Sequence, residues 1–144
     1  MMGFGTAIKT CMRKYVKFSG RAPRAEYWWF ILFTSILGAI CDAINVTLGG
    51  LVSLIFLLPT LAVGWRRMHD IGKSGLWNLL PILGAIFLLP GILLEMEYLV
   101  YAGAAILLGA FLYVLYLTIK RGDVGANEYG ADPYGMGSDP TVFD

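Results

Sequence analysis

The sequence predicts an all-α membrane protein, a bundle of four transmembrane helices preceded by a short amphipathic helix lying in the membrane interface. Three observations carry that reading. First, the chain of 144 residues is 58% hydrophobic and only 15% charged, with a mean hydropathy of +0.68, whereas soluble domains run at roughly 45–50% apolar and about 25% charged. A soluble fold this short has too much surface to hide so many apolar side chains, so the excess faces lipid. Second, four long apolar runs follow one another along the chain. Third, the basic residues gather around and between those runs instead of being scattered.

The first element is basic and amphipathic. Phe4, Ile8, Cys11, Tyr15 and Phe18 recur at steps of four and three, which lines one face of a helix. Lys9, Arg13, Lys14 and Lys17 occupy much of the remainder, so residues 1–26 contain a segment suited to the headgroup plane. Each basic residue beside an anionic leaflet contributes on the order of 1 kcal/mol. The segment can recognise anionic lipid or simply anchor the chain's orientation, and the anchor is the simpler use.

The four spans follow over residues 27–119, at about 28–48, 48–65, 76–94 and 98–119. A helix needs about 20 apolar residues to cross roughly 30 Å of hydrocarbon, and its backbone groups must be satisfied internally. The first run holds one charge, Asp42; the second carries Pro59; the third carries Pro81 and Pro90; the fourth is uncharged. Each internal proline should bend its helix. The second run is short and follows a turn-like stretch from Asn45 to Gly50, so it reads either as a full crossing or as a re-entrant hairpin.

Charge favours the full crossing. With the N-terminus inside, all 11 Lys and Arg residues fall in cytoplasmic segments and the outer turns hold only Glu95 and Glu97. Losing the second crossing would strand one basic group outside. Tyr27, Trp28, Trp29, Trp65 and Trp77 then sit at the inner interface. Tyr98 and Tyr116 lie about 27 Å apart along the fourth helix, close to the hydrocarbon thickness. Nothing at the N-terminus reads as a removable signal, because the first apolar run is too long and no cleavage site follows. Beyond Lys120 the composition turns to Gly, Asp and Pro, and residues 120–144 read as a turn-rich or disordered cytoplasmic tail.

Motifs suggesting chemistry are weak. Gly72-Lys73-Ser74 resembles the end of a phosphate-binding loop, but Arg67 stands where that loop needs its first glycine, and a membrane helix precedes it. His69 is the single histidine, so His69-Asp70 alone completes no metal site. Asp70 is better placed to pair with Arg66 or Arg67 across a tight loop. Ser74 near His69 specifies no nucleophile geometry. Cys11 and Cys41 form neither a disulfide framework nor a metal-ligand spacing, and Ile40 excludes lipidation at Cys41. Ala105 and Gly109 have the small-xxx-small spacing that permits close helix packing. Asp42, an ionisable group in the outer third of the first span, is by default a functional candidate for proton or cation handling, although a tolerated acid near the interface is the simpler reading.

Three stretches stand out together. They are Phe18 to Phe30 (FSGRAPRAEYWWF), Arg66 to Trp77 (RRMHDIGKSGLW) and Gly125 to Pro133 (GANEYGADP). In that order, separated by spans, the chain resembles the domain of unknown function 805 family, small bacterial inner-membrane proteins. Met68 replaces the family's usual Leu, and Leu76 a common Trp. The resemblance covers nearly the whole chain and implies location and topology; no activity comes with it.

The topology gathers all three stretches on one face. Arg21, Arg24, Arg66, Arg67 and Lys73 are candidates for binding an anion or lipid phosphate, with Arg supplying forked donors. Glu26, His69, Asp70, Asn127 and Asp132 are candidates for a structural network that satisfies those arginines, and the network is the favoured reading. The function expected is a non-enzymatic inner-membrane protein whose Arg-rich cytoplasmic face contacts anionic lipid or a partner protein. The alternative is a small oligomeric transporter or channel using Asp42 and proline-bent helices. Anionic membrane lipids and, in the oligomeric alternative, a second copy of the chain are the partners foreseen; no catalytic residue, metal, cofactor or nucleic acid is.

Overall fold

A computed structural model describes residues 2–135. Five α-helices follow in order: α1 (Phe4–Arg13), α2 (Arg24–Ile44), α3 (Val46–Asp70), α4 (Ile82–Leu93) and α5 (Glu97–Ile119), with a 3-10 turn at Gly75–Leu79 leading into α4. Four segments are long and apolar enough to cross a membrane: Arg24–Ile44, Val46–Asp70, Gly75–Leu93 and Glu97–Ile119.

The boundary between the first two spans is sharper than the apolar pattern suggests. Asn45 Oδ1 accepts hydrogen bonds from the amides of Thr47 (2.8 Å) and Leu48 (3.3 Å), starting α3 immediately after α2 ends. An Asn at this position satisfies amides that the first turn leaves without helical partners. α2 therefore stops at Ile44 and does not run on to residue 48. α3 has 25 residues, about 37 Å of helix, which is ample for a crossing. It also continues through Arg66–Asp70, a stretch that the apolar pattern alone places in a loop.

Pro59 sits inside α3 and has no N–H to give to the carbonyl of Ile55, one helical turn back. The Tyr15 hydroxyl donates to that carbonyl. The apolar stripe of α1 thus serves to dock it on the α2–α3 hairpin. Phe4 meets Trp29 and Phe33 edge-on, with centroids 5.6 and 6.4 Å apart, Ala7 and Cys11 are buried, and Phe18 packs on Trp65. Lys9 and Arg13 point outward. Phe30, Phe33 and Phe56 continue the contact between α2 and α3.

α4 and α5 form the second hairpin. A Cβ on Gly84 would lie 2.5 Å from the Leu107 backbone, and one on Gly103 would lie 2.5 Å from the Leu88 amide. Only glycine permits that approach. The expected small pair Ala105 and Gly109 takes no part: both are exposed, and nothing lies within 4 Å of a Cβ built on Gly109. The two hairpins meet mainly at one end, where Met68 and Ile71 of the first pack with Val114 and Leu117 of the second. That end carries the basic residues.

Candidate functional site

The basic end is built from charged side chains buried almost completely. Arg66 and Arg67 in the last turns of α3 are 1% and 0% exposed, Glu26 and Asp70 1% each, and Arg21 7%. Ionised groups persist in such surroundings only when paired and hydrogen-bonded. Arg66 Nη1 donates to Glu26 Oε1, joining α3 to the first turn of α2. Arg67 Nη1 donates to Asp70 Oδ2 one turn along α3. Arg21 Nε donates to the other Asp70 oxygen at 3.0 Å, so one carboxylate is shared between two guanidinia.

Arg66 Nε and Nη2 are buried with no hydrogen-bond partner among the described residues, whereas the remaining donors of Arg67, with Arg24, close the end of α5. Arg67 Nε donates to the Thr118 carbonyl (3.0 Å) and Arg67 Nη2 to that of Lys120; Arg24 Nη1 reaches the Ile119 carbonyl at 3.1 Å. These are carbonyls that a helix C-terminus leaves without amide partners, and cations there also oppose the helix dipole. Arg21 goes further, donating to the carbonyls of Gly125 and Asp123 beyond the helix.

The tail folds over this network. The Asp123 amide donates to the Asp70 carbonyl at 2.8 Å, and Gly122 is pressed against Asp70, where a Cβ would collide with Oδ2. Asn127 Nδ2 donates to the His69 carbonyl (2.9 Å) and to Asp123 Oδ2 (3.1 Å). The His69 ring stacks on Tyr129 at 3.9 Å, nearly parallel, while its Nδ1 lies 3.1 Å from the Gly20 carbonyl. Asp132 accepts from the Tyr134 amide (2.8 Å) and the Gly125 amide (3.0 Å), which hold its carboxyl below the usual carboxylate range.

Of the residues singled out from sequence, Arg21, Glu26, Arg66, Arg67, His69, Asp70, Asn127 and Asp132 are brought together. Arg24 lies exposed at the rim. Lys73 stands apart, its ammonium 5.0 Å above the Trp77 ring. Asp42 lies at the opposite end of α2, exposed and packed over Gly49. Sequence reasoning missed Tyr129, Asp123 and Gly122. It also missed Cys11, whose Sγ is 3.7 Å from Glu26 Oε1. Burial, and then the neighbouring Glu26, push the Cys11 thiol up to about 12, so it stays protonated and unreactive. Among the described residues, no three His, Cys, Asp or Glu side chains gather to hold a metal ion.

Beside the network lies a cleft of about 630 Å³, lined by Arg24, Trp28, Ile119, Arg121, Val124 and Tyr134 among others.

The residues that build this end fall within one family model. That model, described as "Protein of unknown function (DUF805)", matches residues 15–131. The chain belongs to the DUF805 family. Within it, the chain is 36% identical over 129 residues to "Inner membrane protein YhaI" of Escherichia coli (strain K12), covering 85% of this chain and 90% of the relative. "Inner membrane protein YhaH" of the same organism is 31% identical over 133 residues, covering 85% and 91%. "Uncharacterized protein YiiR" is 29% identical over 136 residues, covering 80% and 84%. No solved structure matches. This DUF805 chain is a multi-pass inner-membrane protein, all-helical, with four candidate spans.

Proposed function

We propose that this DUF805 protein is a non-catalytic membrane module whose basic end lies in the cytoplasm and contacts anionic phospholipid. The observation that carries the reading is the division of labour among the basic residues. Arg21, Arg66 and Arg67 are buried and hold the fold together. Lys9, Arg13, Lys17, Arg24, Lys120 and Arg121 surround that core with their side chains exposed. Lys9 lies on α1 and the others stand at or just beyond helix ends, where an anionic leaflet's surface potential acts on them. The opposite end carries only acids, Asp42, Glu95 and Glu97, which agrees with a cytoplasmic placement of the basic end.

Two measurements test the reading. A fluorescent protein fused after Asp144 should fluoresce in cells, and alkaline phosphatase fused there should stay inactive; the reverse pattern would refute the orientation. Discs excised from native membranes around the protein should be richer in anionic lipid than the bulk membrane. Lys9→Gln/Arg13→Gln/Lys17→Gln should reduce that enrichment, and wild-type discs of bulk composition would sink the lipid reading.

A further inference from the structure

We propose that the cleft between the start of α2 and the tail after α5 is a specific site for the phosphodiester of an anionic phospholipid. The proposal rests on the reading that the basic end contacts such lipids, and narrows it from a charged surface to one built cavity. Its volume of about 630 Å³ falls within the range of small-molecule sites.

The donors are arranged on its walls. Arg24 commits one terminal nitrogen to the Ile119 carbonyl, leaving Nε and the other terminal nitrogen, a pair that suits two oxygens of one phosphate. Arg121 lines the same cleft, and its guanidinium makes no hydrogen bond among the described residues. Arg24 and Ala25 are also the first residues of α2, which has no side-chain cap, so unsatisfied helix amides add to the positive field there.

Three carboxylates line the cleft as well, Asp70, Asp123 and Asp132, yet each is engaged by the protein. Asp70 is held by Arg21 and Arg67, Asp123 by Asn127, and Asp132 by two backbone amides. The groups with donors to spare are the arginines.

The walls also say which source of phosphate fits. Trp28, in the second turn of α2, and Ile119, the last residue of α5, form the apolar side. α2 and α5 do not pack along their lengths, so no α2–α5 interface stands in the way of acyl chains below the cleft. A soluble phosphate ester would leave Trp28 and Ile119 facing water, whereas a lipid covers them.

The test is native mass spectrometry of the full-length protein in detergent, titrated with dioleoyl phosphatidylglycerol, dioleoyl phosphatidylcholine or glycerol phosphate. Wild type should prefer phosphatidylglycerol over phosphatidylcholine by about tenfold or more. Arg24→Gln/Arg121→Gln should abolish the preference. Val124→Trp, which fills the cleft from an exposed position and keeps both arginines, should abolish it too and decides the matter if the arginine variant does not fold. Cleft variants that retain the preference overturn the proposal. If Lys9→Gln/Arg13→Gln/Lys17→Gln then loses it, the broader lipid reading survives alone; if wild type shows no preference, both fall. Equal competition by glycerol phosphate would assign the cleft to a soluble ligand and likewise overturn the lipid proposal.

Discussion

Asp70 is the residue on which the basic end turns. Its two oxygens receive Arg21 and Arg67 from different segments, and its backbone carbonyl receives the Asp123 amide. Removing one partner of a buried ion pair leaves an uncompensated charge, a loss of about 3–5 kcal/mol. Asp70→Asn should therefore lower the unfolding free energy in detergent by about that amount, because two guanidinia lose their counter-charge together. A loss below about 1 kcal/mol would mean that the pairs behave as exposed ones. Part of this was legible in the sequence. Asp70 three residues after Arg67 is a helical spacing that points to their pairing, although the apolar pattern places the pair in a loop. What hid the helix is that α3 keeps its geometry past the apolar run, where Arg66 and Arg67 also bond to groups far along the chain. Glu26 as the mate of Arg66, and Cys11 beside both, depend on how helices dock, which no local pattern contains.

At the scale of elements, the interesting repair is at Pro59. A proline within a spanning helix leaves one carbonyl without a donor, a serious deficit where water is absent. Here a side chain from outside the helix answers it, the Tyr15 hydroxyl on the Ile55 carbonyl. Tyr15→Phe should cost about 1 kcal/mol in wild type. In a Pro59→Ala background the same change should cost much less, since the alanine restores the helical N–H that proline lacks. A double-mutant cycle by thermal unfolding measures the coupling, and additive effects would refute the compensation. Periodicity predicted that Tyr15 shares a face with Phe4 and Cys11, but not that the face meets α3. Helix packing is less legible in the sequence. Ala105 and Gly109 have the right spacing on the wrong side of α5, while the close approach uses Gly84 and Gly103, because which face turns toward a partner depends on the partner.

At the scale of the molecule, two hairpins are held together at one end and the tail is part of the fastening. Asp132 reports on that closure. Hydrogen bonds from the Tyr134 and Gly125 amides lower its folded-state pKa beneath the ordinary 3.8, so its contribution to stability is complete above that value and lost as pH falls through the lower folded value. The melting-temperature difference between wild type and Asp132→Asn should thus be constant above about pH 5 and shrink below the ordinary carboxylate value. A difference unchanged down to about pH 2 would mean that the carboxylate plays no part in closure. The sequence showed four spans and a turn-rich tail; that the tail folds onto the arginines follows from contacts between residues more than 50 positions apart, such as Arg21 and Asp123.

That fastening also sets an order of assembly during synthesis. Arg67 waits in α3 for carbonyls at Thr118 and Lys120, and Arg21 waits for those at Asp123 and Gly125. The ribosome delivers these only after both hairpins have been made. Until then the buried guanidinia of the first hairpin lack part of their hydrogen-bond complement, and the nascent chain is a pair of inserted hairpins awaiting its clasp. A translation product halted before residue 118 would carry every charge of the α2–α3 half of the network but none of the acceptors that join it to α5.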